Sequence, residues 1–218
     1  MHGARLIKSG FNDCVIAGGT DALSIFTLNG FNALKILDDE WCKPFDKNRR
    51  GLHRGEGAAF LVLESEEQLK KRGGSAIAEI VGYGNANDAY HQTASSPEGK
   101  GAHKAMADAF AIAKINPESI DYINAHGTGT ENNDQSESLA LSKIFTEMVP
   151  SYSSTKAYTG HTLGAAGAIE AVFSVLAIQN NAMWPSLNIR EPMHIIGAPL
   201  IETKSLPVNN VLSNSFGF

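Results

Sequence analysis

Cysteine is scarce in this sequence. Cys14 and Cys42 are the only two among 218 residues, too few and too far apart for a disulfide framework, and neither belongs to a C-x-x-C or metal-spaced set. A reducing, cytoplasmic setting is the expectation. Cys14 lies in the apolar run C-V-I-A before Gly18-Gly19 and reads as a buried, inert strand thiol; Cys42, between Trp41 and Lys43, reads as a bystander. Clustered basic charge is also missing. Against 23 acidic residues stand 18 lysines and arginines, for a net charge of -5, so nothing marks a nucleic-acid surface. The first residues hold no apolar signal-peptide core, and His2 excludes the myristoylation pattern. Instead A-R-L-I-K reads as a helix already in progress, stopped at Ser9-Gly10. Close ligand pairs such as H-E-x-x-H are absent, and no metal is expected. Repeats and low-complexity segments are absent too; the one weak linker is the Pro-containing stretch from Trp184 to Pro207, and no domain division is evident.

What remains is a globular composition, 43% hydrophobic and 19% charged, with enough material for a core. The chain is organised around residues 153–179, where Lys156 and His161 flank a glycine at Gly160 ahead of a long apolar segment whose single charge is Glu170. Apolar or small residues on every face predict a helix buried all round. Its length approaches a membrane span, but a glutamate at mid-span would cost roughly 2.5–3.5 kcal/mol, so a core helix is expected and no membrane is assigned. Glu170 lies nine residues beyond His161, about half a turn out of phase, and should not share that histidine's face.

Elsewhere the patterns predict a buried strand at 13–17, a helix over 23–37 broken at Asn29-Gly30, a long irregular loop over 38–57, and strands at 58–63 and 76–81. A charged helix between those strands carries Glu66/Lys70 and Glu67/Lys71 at i,i+4 spacing. Turn formers fill 82–97. From Glu98 the pattern alternates: a helix stopped at Asn116-Pro117, the strand I-D-Y-I-N-A, a helix from about Gln135 to Met148, a strand at 151–155, the central helix, and a strand at 211–214. This order predicts an α/β sheet. Asp134 and Glu137 have capping-box spacing and read as seals of their helix N-terminus.

Three groups then fall at strand ends: His126, Lys156, and the segment Phe216-Gly217-Phe218. Ligands of open α/β sheets bind outside the carboxyl ends of strands, so the convergence itself points to a site. His2, His53, His103 and His194 are read as structural by default.

The motifs N-A-H-G-T-G-T, S-S-T-K-A-Y-T-G-H-T-L-G-A-A-G-A-I-E and N-S-F-G-F closely resemble those of the β-ketoacyl-acyl carrier protein synthases, condensing enzymes of the thiolase fold. A-G-G-T-D-A-L, P-F-D, G-E-G and D-A-Y-H-Q-T match as well, in order along the whole chain. The resemblance implies a Cys-His-His site performing decarboxylative Claisen condensation, with His126 and His161 as the histidine pair and Lys156 supporting them. It implies Thr128, Thr130, Phe216 and Phe218 at the substrate, Phe218 as a gating residue, and Glu170, Asp134 and Glu137 in supporting roles. Implied too are an acyl carrier protein partner whose phosphopantetheine arm enters as part of the substrate, no resident cofactor, and a homodimeric parent. His161, where initiating synthases carry asparagine, points to the elongating type.

The resemblance covers the later part of the family pattern. Residues 1–97 correspond to the remainder of the first half with its loops, and 98–218 to the second half. The family's nucleophilic cysteine lies upstream in a T-A-C-S-like turn, and neither Cys14 nor Cys42 matches it, so this polypeptide alone is expected to be inactive. Arg50 and His53-Arg54 stand where an acid and apolar residues are usual, and Glu131 where proline is usual. A non-catalytic partner subunit that influences chain length is the alternative reading.

Overall fold

The computed structural model describes residues 1–217. The chain begins with α1 (His2–Lys8), β1 (Cys14–Asp21), α2 (Ile25–Ala33), β2 (Gly57–Glu64) and α3 (Glu66–Lys71). It continues through α4 (Lys100–Ala113), β3 (Tyr122–Asn124), α5 (Glu131–Ile144), β4 (Ser151–Ser153), the short α6 (Lys156–Thr159) and α7 (Ala166–Asn180). Three short strands follow: β5 (Ala182–Met183), β6 (Lys204–Ser205) and β7 (Val211–Ser213).

The predicted α/β sheet is present. Strands β4, β3 and β7 lie side by side and run parallel, with Tyr122 opposite both Ser151 and Val211. Their carboxyl ends therefore emerge along one edge, which delivers the segments starting at His126, Lys156 and Ser215 to a common place. Beneath the edge, Phe45, Ile123, Leu141 and Tyr152 form a fully enclosed core, with Tyr152 edge-on to Phe45 at 5.2 Å.

A second sheet pairs β1 and β2 antiparallel, Ile16 opposite Val62 and Gly18 opposite Phe60. Side chains alternate along a strand. Accordingly Val15, Ala17, Leu61 and Leu63 are partly covered, whereas Ile16, Phe60 and Val62 are 71%, 60% and 66% exposed. Cys14 shares the outward face with Ile16, so its thiol is exposed rather than buried.

Other expectations are corrected as well. Helix α2 runs unbroken through Gly30, because an interior glycine weakens a helix by about 1 kcal/mol without ending it. Residues 76–81 form no strand and pair with no other strand among the described residues, and just beyond them Gly82 and Gly84 lie against the backbone of α4. Helix α5 begins at Glu131, not near 135, and its cap is Thr130, whose Oγ1 accepts from the Asn133 N–H. Helix α7 buries one stripe, Ala166, Glu170, Ser174 and Ala177, rather than every face. Leu163–Asn180 is long and apolar enough to cross a membrane by length and composition alone. Its glutamate, however, is bonded into the sheet edge described below.

The turn before α7 is approached by β1 so closely that a Cβ on Gly19 would lie 2.1 Å from the Gly164 carbonyl oxygen. Because backbone would have to move, Gly19→Ala is expected to destabilise the chain by about 1–3 kcal/mol. A urea midpoint equal to that of the unaltered chain would show that β1 does not press on the turn before α7.

Candidate active site

Five consecutive residues after β3, His126 to Thr130, form a turn in which Gly127 and Gly129 have φ of 35° and 82°. Two acids of α5 hold this turn from inside. Glu137 accepts from the N–H groups of His126 (2.9 Å) and Gly127 (2.8 Å), and Asp134 from those of Thr128 (3.0 Å) and Gly129 (3.2 Å). The Asn214 amide beyond β7 also donates to Glu137, at 3.0 Å, and the Phe45 N–H donates to Asp134 at 2.8 Å. Arg49 lies 3.4 Å from Asp134 and donates to the carbonyl of Thr130. Both acids brace the turn after β3 instead of sealing their own helix. Burial pushes both carboxyls up, Glu137 to about 7, against the donors that favour the charged form.

Lys156 is 1% exposed, and its ammonium has three donors for three acceptors. These are His126 Nδ1 at 2.9 Å, the His126 carbonyl at 2.6 Å, and Glu170 Oε1. Glu170 in turn accepts from Ser215 Oγ at 2.6 Å, while its carbonyl accepts from Asn124 Nδ2 at 3.0 Å. One glutamate of α7 is therefore joined to all three parallel strands. Burial raises its carboxyl pKa and the lysine opposes that shift. The phase argument about Glu170 does not apply, because His161 lies in the turn before α7 rather than on the helix.

His161 stands edge-on to His126, ring centroids 5.2 Å apart at 82°, and Phe216 lies 6.0 Å from His126 on another side. The Leu163 N–H donates to His161 Nδ1 at 3.2 Å. Leu163 itself has φ of 39°, a left-handed conformation that costs a leucine about 1–3 kcal/mol and must be held by its surroundings. From the long loop, the His53 carbonyl accepts from His161 N at 2.7 Å, and the His161 carbonyl accepts from Gly55 N at 3.2 Å.

Both rings are neutral. Burial, then the nearby Lys156 charge, lowers the pKa of His126 well below the ordinary imidazole value and that of His161 to about 3. In each ring Nδ1 is taken as an acceptor, so the hydrogen resides on Nε2. Thr128 and Thr130 pair through their hydroxyls at 2.9 Å beside this turn. Phe218 lies outside the described residues. Cys42 donates to the Thr128 carbonyl at 3.4 Å and burial pushes its thiol up to about 12, so it stays protonated. The sequence reading missed Arg49, Asn124, Asn214, Ser215 and Asp21; only Arg54 stood out, as an unusual residue in its loop.

Two neutral imidazole N–H groups at the carboxyl edge of a parallel sheet, one ring fixed by a buried lysine and the other by the Leu163 N–H, make a site for stabilising negative charge on oxygen. Residues 1–69 match the beta-ketoacyl synthase N-terminal domain and residues 77–190 the beta-ketoacyl synthase C-terminal domain. The chain belongs to the β-ketoacyl synthase family. It is 42% identical to a 3-oxoacyl-[acyl-carrier-protein] synthase 2 of Coxiella burnetii, covering 100% of this chain and 55% of the relative. It superposes on the ishigamide ketosynthase/chain length factor with a TM-score of 0.94 at 35% identity, covering 100% of this chain and 54% of the other. With a ketosynthase solved in the AntDE:AntF acyl-carrier protein complex, the TM-score is 0.95 at 32% identity, covering 100% and 56%. The chain spans about half the length of these relatives.

The lowered imidazole pKa values fix a pH dependence of stability. Unfolded histidine titrates near 6.5, so between there and the native values the unfolded state binds more protons. The contribution is present above pH 6.5 and is lost as pH falls toward about 3, several kcal/mol for His161 at about 1.36 kcal/mol for each pH unit. Glu137 acts with the opposite sign, stabilising below its unfolded pKa and losing that contribution as pH rises through about 7. The two are separated by subtraction: His161→Gln should flatten the fall in urea midpoint between pH 6.5 and 4, and an unchanged slope would refute a neutral, buried His161.

Proposed function

We propose that the protein carrying this chain catalyses decarboxylative Claisen condensation between an acyl thioester and malonyl-acyl carrier protein in fatty acid or polyketide synthesis. The supporting observation is the pair of neutral imidazoles whose Nδ1 atoms are both engaged, leaving two Nε2–H donors beside one another. When the malonyl thioester loses CO2, the electron pair of the broken carbon–carbon bond moves into an enolate, whose oxygen takes both hydrogen bonds. Donors fixed in advance bind this charge more strongly than they bind the uncharged thioester oxygen, and that difference lowers the barrier. The enolate carbon then attacks the acyl thioester carbonyl and expels the thiolate that carried the acyl group.

In this reading His126 and His161 are catalytic residues and Lys156 positions His126. Thr128, Thr130, Phe216 and Phe218 line the path of the phosphopantetheine arm, which arrives on the carrier protein, so no resident cofactor is required. Neither described cysteine is the acyl carrier: Cys42 is a buried, protonated thiol, and Cys14 sits at the far end of β1 from the strand end beside Gly164. The setting is cytoplasmic and the working form a homodimer. Residues 1–97 and 98–218 serve as the two unequal parts of one thiolase-like unit. A partner subunit that shapes a heterodimer is the second reading, favoured by the neighbour described as a ketosynthase/chain length factor. Retention of both histidines and the lysine weighs against it, since shaping a tunnel has no use for two engaged imidazoles.

The test is a chimera in which this chain replaces the matching half of the Coxiella burnetii synthase, assayed for CO2 release from malonyl-acyl carrier protein. Release is expected, and His161→Ala should slow it by about 10²–10³-fold, the usual cost of deleting one oxyanion donor. A folded, dimeric chimera that releases no CO2 would overturn the proposal, and stable pairing with an active ketosynthase in that case would establish the partner reading.

A further inference from the structure

His161 is held differently from His126. No lysine reaches it; its ring depends on an N–H presented by Leu163, a residue in a strained turn. What keeps that turn in place begins at Arg54, in the loop before β2.

The Arg54 side chain is 1% exposed. Its Nη1 donates to the His161 carbonyl, while its Nη2 lies 3.5 Å from Asp21 Oδ1 at the end of β1. The other oxygen of Asp21 accepts from the Gly164 N–H at 3.0 Å. The guanidinium also lies over the Phe31 ring, 5.1 Å from its centre. One cation thus grips the turn from both sides, at the carbonyl of His161 directly and at the amide of Gly164 through Asp21. Thr162 and Leu163 are the residues between them.

Deepening the reading given under Proposed function, we propose that Arg54 is a positioning residue for His161, its guanidinium and Asp21 together clasping residues 161–164 so that the Leu163 N–H meets His161 Nδ1. A side chain that merely filled space here would not need charge. Burying a guanidinium is costly without partners, and neither Nε nor Nη2 has a hydrogen-bond partner, Nη2 meeting Asp21 as an ion pair only, so an apolar side chain would fill the volume more favourably. The charge is useful because two separated acceptors, the His161 carbonyl and the Asp21 carboxylate, must be held by one rigid fork. The charged groups around His161 are Lys156, Arg54 and Asp21, of which the first two disfavour a charged ring and the last favours it.

Imidazole-¹⁵N NMR on the full chain reads the tautomer directly, without reference to catalysis. The unaltered chain should show His161 as one neutral tautomer with hydrogen on Nε2. Arg54→Met should give mixed tautomers at His161 and leave His126 unchanged. In the chimera it should lower kcat for CO2 release at least tenfold with KM within twofold. Arg54→Lys keeps the charge but reaches only one acceptor, and should lower kcat at least threefold. A single Nε2–H tautomer in Arg54→Met, or full kcat in it, would overturn the proposal. Should Arg54→Met fail to fold, Arg54→Lys decides by the same two readouts, wild-type behaviour counting against the clasp. If the unaltered chimera releases no CO2, the condensing reading fails while the tautomer measurement still decides the clasp.

Discussion

The Lys156–Glu170 pair is the interaction on which the site depends. Both groups are almost entirely buried, and taking either charge out of water costs several kcal/mol that mutual attraction only partly returns. Such a pair adds little to stability compared with apolar side chains of equal volume. What it supplies is order. The ammonium has as many donors as it has acceptors around it, and the carboxylate and carbonyl of one glutamate receive Lys156, Ser215 and Asn124 from beyond three strands. A change in any of these segments is therefore felt at His126 Nδ1, the atom that determines where the imidazole carries its hydrogen.

Much of this arrangement was legible in the residue order. Alternating helix and strand patterns locate β3, β4 and β7, and the rule that ligands gather at carboxyl ends brings His126, Lys156 and Phe216 together. The failures have physical causes. Asp134 and Glu137 have the spacing of a capping box, but the same i,i+3 spacing aims two side chains at a turn that doubles back along the helix, and only tertiary contact decides between these uses. Thr130, one turn earlier, had the better claim to the cap.

The phase of Glu170 relative to His161 carries no information, since His161 precedes α7; the glutamate bonds Lys156 and Ser215 instead. Cys14 and residues 76–81 illustrate another limit, since apolar composition marks a segment that is able to be buried or paired without saying whether anything lies beside it. Arg49, Arg54 and Asp21 carried no periodic signal. Their roles come from contacts spanning tens of residues, such as Arg54 to His161 and Arg49 to Thr130. The long loop that carries both arginines, too extended for a plain connection, holds Phe45 against Asp134 at one end and His161 against β1 at the other.

The turn after β3 looks, in sequence, like the glycine-rich cradles that bind phosphate, where successive N–H groups point outward into a concave anion nest. Here the same geometry is turned inside out. The four amides from His126 to Gly129 already face carboxylates of their own chain, so the loop offers a visiting phosphate acceptors and fixed acidic groups behind them rather than donors. A free anion therefore finds no unspent backbone N–H among these four residues.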